Sequence, residues 1–144
     1  MPMMPAVVID TNIVLDLLVF NDPRTQALRD ALAQGQLRWV ATLAMRTELQ
    51  RVLDYPQIAK RRVYYALSVD DVLQAFDSMA QLFDAAPKAS ATCKDPDDQK
   101  FIDLAVQHQA TLLSKDHAVL CMRKRLALYV PCTAAQFEGF EAIG

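Results

Sequence analysis

Ala6-Val7-Val8-Ile9 is a short apolar run, mostly β-branched, that stops at the carboxylate of Asp10. Two small polar residues, Thr11-Asn12, follow, and then a new apolar pattern, Ile13-Val14-Leu15-Asp16-Leu17-Leu18. The first run reads as a buried strand, the second as a helix. Thr11 or Asn12 is placed to cap that helix. Asp10 then stands at the carboxyl end of a central strand, the edge of an open α/β sheet where ligands bind.

The same alternation continues along the chain. Residues 11–19 read as a helix ended near Asn21-Asp22-Pro23, with Asp22 and Pro23 opening the next one, which stops at Gln34-Gly35. A second strand spans 37–41, and Thr42 caps a helix running to Leu53, before the break at Pro56. Residues 58–85 read as the most helical stretch, with a break at Val69-Asp70, and 86–96 as the least structured. Asp97 and Asp98 open a helix with Phe101, Ile102, Ala105 and Val106 facing inward. A strand over 111–114, a helix over 119–126, a strand over 128–130 and a terminal helix capped by Thr133 and carrying Phe137 and Phe140 complete the reading. Crossovers too long for hairpins predict a three-layer α/β/α sandwich with a mainly parallel central sheet, as one domain over 1–144.

Composition narrows the functions available. A hydrophobic share of 53% with 22% charged residues is globular. The formal charge of −2 supplies no global positive field, so a polyanion would be held by local basic patches and metal. The three cysteines, Cys93, Cys121 and Cys132, lack paired ligand spacing and suit reduced thiols in a cytoplasmic protein. Met1 to Pro5 carries no basic n-region, and Asp16 and Asp22 interrupt the most apolar early segment, so neither a signal peptide nor a membrane span is expected.

Four carboxylates fall where this fold collects ligands. Asp10 and Asp116 end strands, Glu48 lies about two turns into the helix after the second strand, and Asp98 opens the helix before the third. Asp98 is three before Phe101, four before Ile102 and seven before Ala105, so it shares the inward stripe. Asp97 shares a face with Phe101 only, and Asp103 falls off the stripe and is expected to be solvated. Each acid alone has an ordinary explanation as a cap or a surface residue. Together, ionised acids in one pocket repel unless a cation lies between them. Oxygen donors suit Mg²⁺ or Mn²⁺, and such ions support phosphodiester hydrolysis by activated water. His108 and His117 are nine residues apart with no thiolate near them, which disfavours zinc.

Asp10-Thr11-Asn12 with its strand and helix, Glu48, Asp98 before the Ala105 helical turn, and Leu113-Ser114-Lys115-Asp116 together resemble the ordered motifs of PIN-domain nucleases. The loop from Cys93 to Phe101 and the tail from Thr133 to Phe140 resemble the subgroup of toxin components of bacterial toxin–antitoxin systems. The resemblance implies that Asp10, Glu48, Asp98 and Asp116 bind one or two Mg²⁺ or Mn²⁺ ions and cleave RNA, with Asn12 and Ser114 holding them by hydrogen bonds. It also implies a homodimer and a small antitoxin partner that enters the active-site groove. Lys115 replaces a glycine common in the subgroup, and contact with substrate phosphate or plain exposure would each explain it. Arg51, one turn beyond Glu48, is placed to line the groove or to form a surface ion pair. The basic clusters Lys60-Arg61-Arg62 and Arg123-Lys124-Arg125, with Tyr55, Tyr64 and Tyr65, are candidates for RNA contact or ordinary surface and packing residues. A non-catalytic RNA-binding or complex-forming protein of the same fold is the alternative reading. A haloacid-dehalogenase-like phosphatase is disfavoured because Asn12 stands where that class needs a second aspartate.

Overall fold

A computed structural model of the chain describes residues 4–137. Five strands form one sheet: β1 Ala6–Ile9, β2 Arg38–Thr42, β3 Ala80–Phe83, β4 Thr111–Leu113 and β5 Thr133–Ala134. Their order is β3-β2-β1-β4-β5, and every pairing is parallel. Parallel neighbours cannot be joined by tight turns, so helices fill the connections. These are α1 Thr11–Leu18, α2 Gln26–Ala33, α3 Leu43–Val52, α4 Pro56–Tyr64, α5 Val69–Met79, α6 Pro96–His108, α7 His117–Leu120 and α8 Arg123–Leu126. The result is a three-layer α/β/α sandwich.

The core follows from the sequence pattern. All four residues of β1 are buried, as a central strand covered on both faces requires. Trp39 of β2 is buried and meets the Phe76 ring of α5 edge-on, with centroids 5.0 Å apart. The helices α1, α3 and α5 pack against one another, while α6 lies against β1 and β4 through Phe101, Ile102, Leu104 and Ala105. No helix among the described residues is long and apolar enough to cross a membrane.

Local signals set most helix boundaries. Thr42 accepts a hydrogen bond from the Met45 N–H at the start of α3. Asp22 caps a 3-10 turn, Pro23–Thr25, that leads into α2, and Gly35 leaves that helix with φ +72°, a conformation suited to glycine. Ser68 and Asp71 form a reciprocal capping box at α5, so the break before this helix lies at 65–68, just ahead of the expected Val69-Asp70.

Several expectations are corrected. Asp10, and neither Thr11 nor Asn12, is the N-cap residue of α1, and its side chain makes no capping bond. The stretch expected to be helical to residue 85 ends in β3, an edge strand without a β-branched residue whose identity comes from pairing with β2. Residues 128–130 form a turn after α8, where a strand was expected. Thr133 is in β5 rather than capping a terminal helix. Phe137 is buried, and Phe140 lies outside the described residues. The single helix expected over 119–126 is divided into α7 and α8. Asp103 is half-buried, where solvation was expected: it accepts the Ala89 N–H at 2.9 Å and the Gln99 side-chain amide at 2.8 Å, tying the loop before α6 to that helix.

Candidate metal centre

β1 and β4 lie side by side in the register Val7↔Thr111, Val8↔Leu112, Ile9↔Leu113. From β1 the strand order runs outward through β2 and β3, and from β4 the other way to β5. The crevice beyond the carboxyl ends of β1 and β4 is therefore the topological switch point of the sheet, where side chains from both connections can converge.

Asp10 continues directly from β1, with its N–H bonded to the Leu113 carbonyl at 2.8 Å. Asp116 follows β4 at the N-cap of α7, where its Oδ1 accepts the Ala118 N–H at 2.9 Å. Ser114 is fully buried between them. Its hydroxyl donates to Asp10 Oδ2 at 2.6 Å and accepts the Asp116 N–H at 3.0 Å, so one oxygen fixes a side chain from one strand end to the backbone of the other. Asp98 arrives from the first turn of α6. One carboxylate oxygen from each of Asp10, Asp98 and Asp116 lies within 4.8 Å of the other two.

The chemistry of this set fits a hard divalent cation. Asp98 is only 6% exposed, and its Oδ2 is buried without a hydrogen-bond partner among the described residues. An orphaned buried oxygen is costly unless a proton or a cation satisfies it. Burial, followed by the Asp10 charge and the hydrogen bond that a protonated Asp98 can give the Asp116 carboxylate, pushes Asp98 up to about 7. Asp10 is also raised, chiefly by burial, against the lowering effect of its bond from Ser114. All three donors are oxygens, which suits Mg²⁺ or Mn²⁺ over softer metals.

Glu48 borders the same cleft, a space of about 320 Å³ also lined by Asn12, Tyr55 and Gln57, but stands outside the three-acid set. Its Oε2 accepts a hydrogen bond from the Thr11 hydroxyl, and its Oε1 receives the Lys100 ammonium at 2.9 Å. Arg51 is 62% exposed with its guanidinium 4.0 Å from Glu48. Asn12 is exposed on the cleft wall and makes no hydrogen bond to the acids. Lys115 points elsewhere: it pairs with Asp16 at 2.5 Å and does not line this cleft. Arg62 bonds the Leu53 and Leu67 carbonyls and is mostly buried, which makes it a structural residue of the α4 turn.

Thr11 and Lys100 are the site neighbours that motif reading passed over. From sequence alone, Thr11 suits a helix cap and Lys100 a loop position. The signal available was electrostatic: four acids in one pocket call for a nearby cation, and Lys100 is two residues from Asp98.

A parallel α/β/α sandwich with three clustered carboxylates at its switch point could coordinate a hard divalent cation. The PIN domain family model matches residues 6–118, and the chain belongs to that family. No curated protein matches it.

Proposed function

We propose that the protein is a divalent-metal-dependent endoribonuclease, and that it serves as the toxin component of a bacterial toxin–antitoxin pair. The observation that carries the reading is that one carboxylate oxygen from each of Asp10, Asp98 and Asp116 lies within 4.8 Å of the other two, and that Asp98 Oδ2 is buried with no hydrogen-bond partner among the described residues. Such a cluster repels a phosphodiester by itself, and the chain's net charge of −2 offers no compensation, so substrate and site need a cation in common.

Asp10, Asp98 and Asp116 would hold Mg²⁺ or Mn²⁺, with Glu48 at the border of the site. When bound, the ion lowers the pKa of water and neutralises charge on the phosphoryl group. Ser114 orients Asp10 and fixes the Asp116 backbone, so two carboxylates face the cleft without rearrangement. Asp98, pushed up to about 7 by burial and its acidic neighbours, is partly protonated near neutral pH while the cleft is metal-free, and ion binding would draw that proton off. Tyr55, half exposed on the cleft wall, offers a ring face for an unstacked base, and Arg51 offers charge to the phosphate backbone. The antitoxin and homodimer readings draw on the resemblance of the Cys93 to Phe101 loop to toxin components. They are supported by α4, which has no buried residue and exposes Val63 and Tyr64.

The test is cleavage of defined single-stranded RNAs by purified protein with Mg²⁺, Mn²⁺ or EDTA, alongside Asp10→Asn and Asp98→Asn. Cleavage should require metal and fall by at least about 100-fold in either variant. Equal cleavage by the variants would overturn the assignment. Metal binding without cleavage would favour the non-catalytic RNA-binding alternative.

A further inference from the structure

Glu48 is the acid whose environment differs from the rest. Asp98 has a buried oxygen with no hydrogen-bond partner among the described residues, whereas both oxygens of Glu48 are occupied by protein donors, the Thr11 hydroxyl and the Lys100 ammonium. Lys100 is not a loose surface lysine. Its Nζ donates to the Asp97 carbonyl at 2.6 Å, lies 4.9 Å from the centroid of the buried Phe101 ring, and reaches across from α6 to α3 to meet Glu48 at 2.9 Å. Its side chain is 27% exposed and that of Glu48 is 15%, so the pair is partly shielded; Glu48 borders the acid cleft, and Lys100 approaches it from the adjoining depression lined by Arg51 and Asp97.

Two-metal phosphodiesterase sites place their ions about 3.5–4 Å apart, clamped by shared and flanking carboxylates. With three acids gathered on one side, the carboxylate left to flank a second ion is Glu48. We propose that Lys100 is a positioning residue and built-in counter-cation: its ammonium takes the place beside Glu48 that a second divalent ion needs, so the cleft holds one ion, on Asp10, Asp98 and Asp116. The inference rests on the metal reading above and adds its stoichiometry. A cation supplied by the chain balances the fourth acid permanently, leaving only the three-acid set to be filled from solution.

The experiment is a Mn²⁺ titration of the metal-free full-length protein, followed by calorimetry and by electron paramagnetic resonance, with circular dichroism to establish folding. Wild type should bind one Mn²⁺ with the spectrum of an isolated ion. Lys100→Met should bind two and show the exchange-coupled signal of a Mn²⁺ pair. Lys100→Arg should return to one, and the double variant Lys100→Met with Glu48→Gln should also bind one. Should Lys100→Met fail to fold, Lys100→Gln serves the same purpose. Two ions in wild type, or one ion in folded Lys100→Met, would overturn the inference while leaving the metal reading intact. No bound ion in any protein would overturn the metal reading and the inference with it.

Discussion

Ser114 carries an unusual amount of the site for one hydroxyl, because it joins the ends of two strands that are far apart in sequence. Removing it leaves Asp10 Oδ2 without its donor and the Asp116 N–H without its acceptor. Ser114→Ala should weaken Mn²⁺ binding by about 10–100-fold, measured by calorimetry, with the fold retained. Asp98 gives a second prediction. In the metal-free protein it titrates near 7, above its ordinary value of 3.8, so between those values the folded state holds a proton that the unfolded chain has lost. Stability contributed at this position is therefore full below about 4 and falls as pH rises towards 7. Urea midpoints of the metal-free protein should decline over that window, and Asp98→Asn should flatten the decline. The choice of Asp98 over Asp97 was legible, since only Asp98 shares the stripe of Phe101, Ile102 and Ala105, and it is buried while Asp97 is exposed. The Lys100–Glu48 pair was not, because its partners are 52 residues apart and only the crossing of α3 and α6 brings them together.

Elements were readable where local chemistry and burial agreed. β1 and α1 announce themselves by a buried apolar run passing into a helical pattern, and Thr42 and Asp22 cap as their positions require. β3 and β5 were not readable. One is an exposed edge strand and the other has two residues, so neither carries a pattern long enough to outweigh its neighbours, and sheet pairing alone defines them. The end of α4 yields a prediction at this scale. Ala66 leaves that helix with φ +56°, a left-handed conformation that crowds the alanine Cβ against a backbone carbonyl, while its N–H bonds the Val63 carbonyl. Ala66→Gly should stabilise the protein by about 1 kcal/mol in chemical denaturation, since glycine adopts this geometry freely. A lowered midpoint would mean that the alanine methyl contributes packing at this turn.

For the molecule as a whole, sheet order matters more than any single motif. Because β1 and β4 adjoin at the switch point, acids from the first and last thirds of the chain share one crevice, and α6 brings the third from its packing against both strands. On the proposed metal reading, that convergence places like charges together, and a divalent ion bound there would relieve the repulsion in the folded state only. Mn²⁺ at 100 times its dissociation constant should therefore raise stability by about 2.7 kcal/mol, seen as an upward shift in thermal unfolding that Asp10→Asn abolishes. The most direct measurement is anomalous diffraction from a crystal grown with Mn²⁺. The account predicts one peak ligated by Asp10, Asp98 and Asp116, with Lys100 still paired to Glu48. Full-occupancy Mn²⁺ elsewhere on the surface, with this cleft bare, would contradict it.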